Sequence, residues 1–157
     1  MEIERKFLPA FLPEGWEEAP HRELLQGYLC RKPVVRVRQD GDRYILTVKG
    51  PGKMAREEHE YPLGKEQFEH LLAKADGRLI RKTRYCLPCG NYTAELDVFA
   101  DELSGLCLAE VEFPSVEEAL AFTPPAWMGR EVTRDSRYHN AHLALDPLPV
   151  LTDDFLR

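Results

Sequence analysis

Apolar and polar residues alternate along most of this chain, which is the pattern of half-buried β-strands. Turn signals with Gly, Asn or Asp separate the alternating segments, as at Asp40-Gly41 and Gly90-Asn91. The predicted strands are 2–8, 23–30, 34–40, 43–49, 55–62, 79–86, 92–99 and 107–113. Short strands in this number predict a barrel or a sandwich.

Helical periodicity appears in three segments only. They are 65–75, a helix that begins after Ser115, and 136–145, which follows Asp135. In the first segment, apolar residues recur at the three- and four-residue spacing of one helix face. In the second, Glu118 stands three residues after Ser115, which is the spacing of a capping box. We expect these helices to pack one face against the outside of the sheet.

Length and composition are those of an ordinary globular protein. The chain has 157 residues, of which 43% are apolar and 31% charged, so we expect one domain over 1–157. No run approaches the roughly 18 apolar residues of a membrane span, and a signal peptide is absent, so we predict a cytoplasmic protein without a membrane partner. The net charge of -6 argues against a nucleic-acid partner.

The cysteines and histidines do not predict a zinc site. Cys30, Cys86, Cys89 and Cys107 are too few and too irregularly spaced for a disulfide framework. Cys86 and Cys89 form a CxxC pair that lacks a second ligand pair, so we interpret them as ordinary thiols flanking a turn. His139 and His142, on the last predicted helix, lack an i, i+4 partner and are interpreted as exposed or core histidines.

Charged residues recur at every second position of most predicted strands, so they share one face of each strand. On the first strand, Glu2, Glu4 and Lys6 share a face. On any one strand this is typical of the wet side of an antiparallel sheet. Like charges are grouped along each strand, however, and such grouping costs stability unless ligands of opposite charge bind between the groups.

The charged faces together predict a binding site inside a barrel. The bases are Lys6, Arg36, Arg38, Lys49, Arg56, Lys82 and Arg84, and the acids are Glu2, Glu4, Glu58, Glu60, Glu95, Asp97, Glu110 and Glu112. Closing about eight strands leaves an interior that holds side chains or one small ligand. Carboxylates suit Mg²⁺ or Mn²⁺, and arginines about 6.6 Å apart on one strand suit successive phosphates.

Several of these segments resemble the CYTH, or triphosphate tunnel metalloenzyme, superfamily. The similar segments are 2–8, 26–29, 35–38, 46–50, 95–99 and 109–113, followed by 130–133, Asp135, Arg137, Tyr138 and Asn140. The first contains ExExK, the signature of that family, and the last ones resemble its short bacterial members. The resemblance implies a mainly β (α+β) fold, with an eight-stranded antiparallel closed β-barrel, or tunnel, and a few flanking helices.

The resemblance also implies roles for the charged residues. Phosphate binding falls to Lys6, Arg36, Arg38, Lys49, Arg56, Lys82 and Arg84. Binding of Mg²⁺ or Mn²⁺ falls to Glu2, Glu4, Glu110 and Glu112, with Asp97 as a helper, while Glu58, Glu60 and Glu95 orient the bases through salt bridges. In catalysis, Glu110 or Glu112 is expected to accept a proton from the attacking water, and Lys6 to stabilise charge.

The implied activity is metal-dependent hydrolysis of a small-molecule triphosphate, in the first place inorganic tripolyphosphate, with release of orthophosphate. A class IV adenylate cyclase is an alternative, although no base-recognition motif is visible. A thiamine or nucleoside triphosphatase is another alternative. The thiamine enzyme would need an aromatic or acidic platform for the organic cation, for which Trp16, Tyr28 and Trp127 are candidates. A non-catalytic polyphosphate-binding module is a further alternative, against which the intact carboxylate set argues. An exposed strand edge or helix face could form a homodimer.

Overall fold

The computed structural model describes residues 1–147, and positions 148–157 of the predicted domain lie outside the described residues. The strands are β1 (Glu2–Leu8), β2 (His21–Cys30), β3 (Val34–Asp40), β4 (Arg43–Lys49), β5 (Ala55–Arg56), β6 (Glu58–Leu63), β7 (Asp76–Cys89), β8 (Tyr92–Phe99), β9 (Cys107–Glu112) and β10 (Arg130–Glu131). The helices are α1 (Lys65–Leu72), α2 (Val116–Ala121) and α3 (Asn140–Leu145). Short 3-10 turns lie at Trp16–Glu18, Asp101–Leu103, Ala126–Met128 and Ser136–Tyr138.

The strands form a nearly closed antiparallel barrel. Neighbouring strands follow the order β10-β1-β9-β8-β7-β2-β3-β4-β6. The sheet curls round on itself because β5, which directly precedes β6, pairs with β1 and places Arg56 opposite Glu2. Among the described residues, β1 and β6 share no ladder, so one seam remains between them. The predicted antiparallel tunnel is therefore confirmed.

The predicted strand 55–62 is in fact divided at Glu57. β5 pairs with β1, whereas β6 pairs with β4. The break has a geometric cause, since a single segment serves two different neighbours where the barrel closes. The bend is fixed by Gly50, whose N–H donates to the carbonyl oxygen of Glu57 at 3.0 Å. The other predicted strands are present, several with the predicted bounds, and β10 is too short for alternation to reveal.

The third predicted helix, 136–145, is two separate segments. Ser136–Tyr138 forms a 3-10 turn after Asp135, whose side chain caps it, and α3 begins two residues after that turn. His139 between them has extended backbone, with φ -77° and ψ 140°. Its Nε2 lies 2.9 Å from the carbonyl oxygen of Thr133. This side-chain contact, which periodicity cannot reveal, accompanies the break.

The first two helices lie where the sequence predicts them and are short. α2 begins after Ser115, whose Oγ accepts from the Glu118 N–H at 3.1 Å. α1 ends before residue 75, and the chain after it approaches β2 closely at Gly27, where a Cβ would lie 2.8 Å from the Ala75 Cβ. With 8 residues, α1 is the longest helix described, and none of the described helices has the length and apolar character to cross a bilayer.

Two apolar clusters pack on opposite sides of the barrel wall. The outer cluster includes Phe7, Leu96, Val111 and Met128, together with Ala119 of α2. The inner cluster includes Leu8, Phe99, Leu108, Tyr138 and Leu143. On their strands, Leu8, Phe99 and Leu108 stand two positions from Lys6, Asp97 and Glu110 and share the inward face. The charged part of the interior therefore ends at an apolar floor, which α3 covers.

Arg5 on the outside of β1 ties three elements together. Its Nη1 donates to the carbonyl oxygens of Ala119 and Phe122 at 2.8 and 2.9 Å, and its Nε and Nη2 donate to Glu131. A lysine has no planar fork that reaches all these acceptors. We expect Arg5→Lys to lower the free energy of unfolding by about 2 kcal/mol in urea titrations.

Arg43→Lys is the matched control for this prediction, because Arg43 is exposed at the start of β4. This control is expected to unfold at the wild-type urea concentration. Equal unfolding midpoints for Arg5→Lys and Arg43→Lys would show that Arg5 does not anchor α2 and β10.

Candidate active site

A cavity of about 500 Å³ lies inside the barrel, and charged side chains form most of its wall. Thirteen of the fifteen residues predicted to face inward line it. They are Glu2, Glu4, Lys6, Arg36, Arg38, Lys49, Arg56, Glu58, Glu60, Arg84, Glu95, Glu110 and Glu112. The remaining two, Lys82 and Asp97, are buried behind this wall, each 1% exposed. The charges therefore line an interior cavity and are not the solvated outer side of the sheet.

One wall of the cavity is acidic and comes from β1 and β9. These strands pair so that Glu4 lies opposite Glu112, and Lys6 lies opposite Glu110. Burial, and then the charges of Glu110 and Glu2, raise the pKa of Glu4 to about 8. Burial and Glu2 also raise the pKa of Glu112. Burial and neighbouring carboxylates thus outweigh the nearby lysines at Glu4 and Glu112, and a divalent cation would stabilise their ionised forms.

Basic side chains occupy part of the acidic wall. Lys49 Nζ lies 3.0 Å from Glu2 Oε1, and Lys6 Nζ lies 3.3 Å from Glu110 Oε1. Although burial favours the neutral acids, Lys49 holds the pKa of Glu2 below its usual value, and Lys6 holds that of Glu110 well below it.

Within the described residues, no three His, Cys, Asp or Glu side chains are arranged to hold a metal ion. The donor chemistry nevertheless fits a hard cation, because four carboxylates (Glu2, Glu4, Glu110 and Glu112) line one side of the cavity. To bind the cation, Glu2 and Glu110 would exchange their basic partners for it.

The opposite wall is basic and centres on β3. Arg36 and Arg38 are 5% and 9% exposed. Arg38 Nε donates to Gln26 Oε1 at 2.8 Å, and Arg36 Nη2 donates to Thr47 Oγ1 at 3.3 Å. Arg36 Nε is buried without a hydrogen-bond partner. This wall holds two adjacent positive charges with uncharged partners, which is the arrangement that an anion would complete.

Behind the basic wall, Asp97 holds Arg84 and Lys82. Its two oxygens accept from Arg84 Nε and Nη2 at 2.8 and 2.9 Å, and Lys82 Nζ lies 2.7 Å away. Lys82 Nζ also donates to Asn140 Oδ1 at 3.1 Å. Burial opposes ionisation, but Arg84 and Lys82 hold the pKa of Asp97 at about 2. Both oxygens of Asp97 are thus engaged away from the cavity, so its position favours orienting Arg84 over holding a metal.

The three acids expected to orient bases lie around the cavity. Glu95 Oε2 is 3.6 Å from Arg84 Nη1. Glu58 and Glu60 lie on β6, opposite Lys49 and Thr47 of β4. Glu95 is therefore in a position to orient Arg84, whereas Glu58 and Glu60 add negative charge to the lining next to the seam.

Several residues in or next to the cavity wall were not predicted as site residues from the sequence. Gln26 and Thr47 do not line the cavity but are fully buried against the two β3 arginines, and each stands at an inward position of its strand. The two-residue period places them on the inward face, but as uncharged residues they did not stand out. His139 and Asn140 contribute to the lining itself. Burial, and then the charge of Lys6, lower the pKa of His139 to about 4, so it adds no positive charge near neutral pH.

Two further interpretations concern residues away from the charged walls. The prediction that Cys86 and Cys89 flank a turn is wrong, because both lie on β7 and the turn follows Cys89. Of the three candidate aromatic platforms, only Tyr28 lines the cavity. Trp16 and Trp127 pack with the outer apolar cluster, where they cannot contact a ligand in the barrel.

An antiparallel barrel that encloses facing acidic and basic walls defines a tunnel-type protein that handles small anions together with cations. The chain belongs to the CYTH domain family, whose model matches residues 1–131. Triphosphatases of this family are in general metal-dependent. The predicted family is thereby confirmed.

The chain is similar to inorganic triphosphatases over nearly their full length. An inorganic triphosphatase of Nitrosomonas europaea is 48% identical over 149 residues, which cover 92% of this chain and 97% of the relative. An inorganic triphosphatase of Acetivibrio thermocellus is 38% identical, with coverages of 93% and 94%. A crystal structure of an inorganic triphosphatase superposes with a TM-score of 0.70 at 44% identity, over 95% of this chain and 97% of that chain.

The ion pairs of Asp97 predict a pH-dependent contribution to stability. Asp97→Asn leaves two buried cations without their carboxylate, so we expect it to lower the free energy of unfolding by about 3 to 5 kcal/mol at pH 7. The folded pKa of Asp97, about 2, lies below its usual 3.8. The stabilisation is thus present above pH 3.8 and is lost as pH falls towards 2.

Urea unfolding at several pH values would measure this difference, with Asp42→Asn in an exposed turn as the control. The difference between wild type and Asp97→Asn should shrink in acid. A difference that stayed constant down to pH 2 would contradict the assignment.

Proposed function

We propose that this chain hydrolyses inorganic triphosphate to pyrophosphate and orthophosphate inside its barrel. The observation that carries the proposal is the pair Arg36 and Arg38, which are buried side by side and have only uncharged partners among residues 1–147. Adjacent buried cations are costly unless an anion joins them. The names of the two relatives, both inorganic triphosphatases, support the same substrate.

The basic residues would bind the phosphates in two groups. Arg36 and Arg38 would bind directly, because the partners that the described part of the chain gives them, Thr47 and Gln26, are neutral. Lys6, Lys49, Arg56 and Arg84 line the cavity but are paired with acids, so the substrate would compete with those acids for them. We assign Lys82 and Asp97 to the support of Arg84, since neither lines the cavity.

Glu2, Glu4, Glu110 and Glu112 would hold the divalent ion, and we propose Mg²⁺ or Mn²⁺ because the donors are carboxylate oxygens. When bound, the ion would neutralise charge that develops on the phosphate oxygens. Release of Glu2 from Lys49, and of Glu110 from Lys6, would free both lysines for phosphate at the same time. Metal and substrate would therefore reinforce each other in binding.

The reaction needs one water molecule. Its oxygen would bond to the terminal phosphorus while the bond from that phosphorus to the bridging oxygen breaks, and pyrophosphate leaves. Glu110 or Glu112 would accept the proton of the water. Lys6 would stabilise charge as a cation: burial favours its neutral form, but Glu110 and Glu4 raise its pKa above the usual value.

The described cavity lining gives weaker support to the alternatives. Among the cavity-lining residues described, Tyr28 is the only Phe, Tyr or Trp. An adenylate cyclase or a thiamine triphosphatase would require a surface for a heterocyclic ring. A binding module without catalysis would not require the acidic wall. The cytoplasmic location, the homodimer and the lack of nucleic-acid and membrane partners stay predictions.

Substrate choice is the first test of this proposal. With Mg²⁺ or Mn²⁺, we expect rapid phosphate release from inorganic triphosphate and much slower release from ATP and thiamine triphosphate. A chelator should abolish all release. Formation of cyclic AMP and pyrophosphate from ATP would contradict the hydrolase and favour the cyclase, whereas a lack of reaction with every substrate would favour the binding module.

Substitutions in the acidic wall and in the basic wall are expected to affect different steps, metal binding and substrate binding. Glu4→Gln should raise the metal concentration needed for half-maximal activity by about 10-fold or more, because it removes one anionic donor. Arg38→Ala should raise KM for triphosphate by about 100-fold, because it removes one desolvated cation. Titrations of metal and substrate measure both effects. If each variant changed the metal requirement and the KM for triphosphate by the same factor, the assignment of metal and phosphate to separate walls would be wrong.

A further inference from the structure

The cations of the barrel interior fall into two classes by the charge of their partners. Five have a carboxylate within ion-pair distance: Lys6, Lys49, Arg56, Lys82 and Arg84. Among the described residues, Arg36 and Arg38 have hydrogen-bonding partners without charge, namely Thr47 and Gln26. Among the described residues, the interior cations without a carboxylate partner are thus confined to one strand, β3, at the centre of the basic wall.

The two neutral partners are built into the strands on either side of β3. Gln26 of β2 lies directly opposite Arg38, and Thr47 of β4 lies directly opposite Arg36. Both are 0% exposed. Gln26 Nε2 donates to Tyr28 Oη at 3.4 Å, which directs the amide oxygen towards Arg38. The arrangement is therefore a fixed feature of the wall and not a chance contact at the surface.

A neutral acceptor orients a guanidinium group without cancelling its charge. Each arginine remains a full positive charge in a desolvated site, where its attraction for an anion is strongest. Burial, and then the charges of Arg36 and Arg84, lower the pKa of Arg38 to about 9, which reflects this excess of positive charge. A carboxylate at either position would form an ion pair with the arginine and compete with the phosphates.

We infer that Gln26 and Thr47 are positioning residues that orient Arg38 and Arg36 and keep their charges uncompensated for the phosphates of the substrate. This inference rests on the proposed function. It assigns the affinity of the basic wall to two uncharged residues as well as to the arginines. It also predicts that a more favourable partner for Arg38 in the empty protein would weaken substrate binding.

The test replaces the neutral acceptor by an acid of the same size. Gln26→Glu should bind inorganic triphosphate about 100-fold more weakly than wild type in calorimetric titrations with EDTA, because the new carboxylate neutralises Arg38. Its stability in urea should equal or exceed that of wild type. With metal present, its KM should rise by a larger factor than its kcat falls.

Gln39→Glu is the matched control, since Gln39 follows Arg38 on β3, points away from the cavity and takes the same added charge. It should bind triphosphate like wild type. Gln26→Met separates orientation from charge: it removes the acceptor without neutralising Arg38, so its affinity should fall less than that of Gln26→Glu. If Gln26→Glu fails to fold, Thr47→Asp makes the same test at Arg36.

The outcomes separate this inference from the proposed reaction. If Gln26→Glu is folded and binds triphosphate as tightly as Gln39→Glu does, the inference is wrong. If wild type binds triphosphate and Gln26→Glu does not, but neither protein releases phosphate with metal, the inference stands and the hydrolase proposal fails. If wild type binds no triphosphate with EDTA but hydrolyses it with metal, the inference fails and the hydrolase proposal stands. If wild type neither binds triphosphate with EDTA nor hydrolyses it with metal, both fall together.

Discussion

The cost of keeping charged side chains away from water is the constraint on which this structure depends. An isolated buried ion costs several kcal/mol even after the protein relaxes, so each ion needs a close partner. Most interior ions here have one, such as Asp97 with Arg84 and Lys82. Among the described residues, the exceptions are Glu4 and Glu112 on the acidic wall, whose pKa values neighbouring carboxylates help to raise, and Arg36 and Arg38 on the basic wall, whose partners are uncharged. These exceptions mark where the ligands belong.

The barrel makes such an interior feasible because strand alternation separates its two faces. The same strands send apolar residues outward to α2 and the loops, and charged residues inward to the cavity. Farther along the inward face, Leu8, Phe99 and Leu108 replace the charges and close the interior towards α3. The change from charged to apolar along one face, together with α3, sets the depth of the site.

The sequence predicted the features that follow from the two-residue period. The strand positions and the inward direction of residues such as Glu4, Arg38 and Glu110 needed only this period together with barrel closure. It could not predict the division of 55–62, which depends on two neighbours across the seam, or the break at His139, which accompanies a contact with Thr133. The period also could not show that Lys82 and Asp97 face inward without lining the cavity. Whether an inward side chain reaches the cavity depends on how its neighbours pack.

The functional account depends on one location, the space between the arginines of β3 and the carboxylates of β1 and β9. Both walls are held by strand pairing, so a ligand that bridges them need not reorganise the barrel. Only side-chain ion pairs such as Lys49 with Glu2 would have to exchange. This explains how a protein of net charge -6 could bind a polyanion, since the local arrangement of charge outweighs the total.

A crystal structure of the protein with inorganic triphosphate and a divalent ion would test this claim most directly. The account predicts phosphate oxygens within hydrogen-bond distance of Arg36 and Arg38, with the metal ion on the side of Glu2 and Glu4. Triphosphate bound outside the barrel, or inside it without contact to the β3 arginines, would contradict the account.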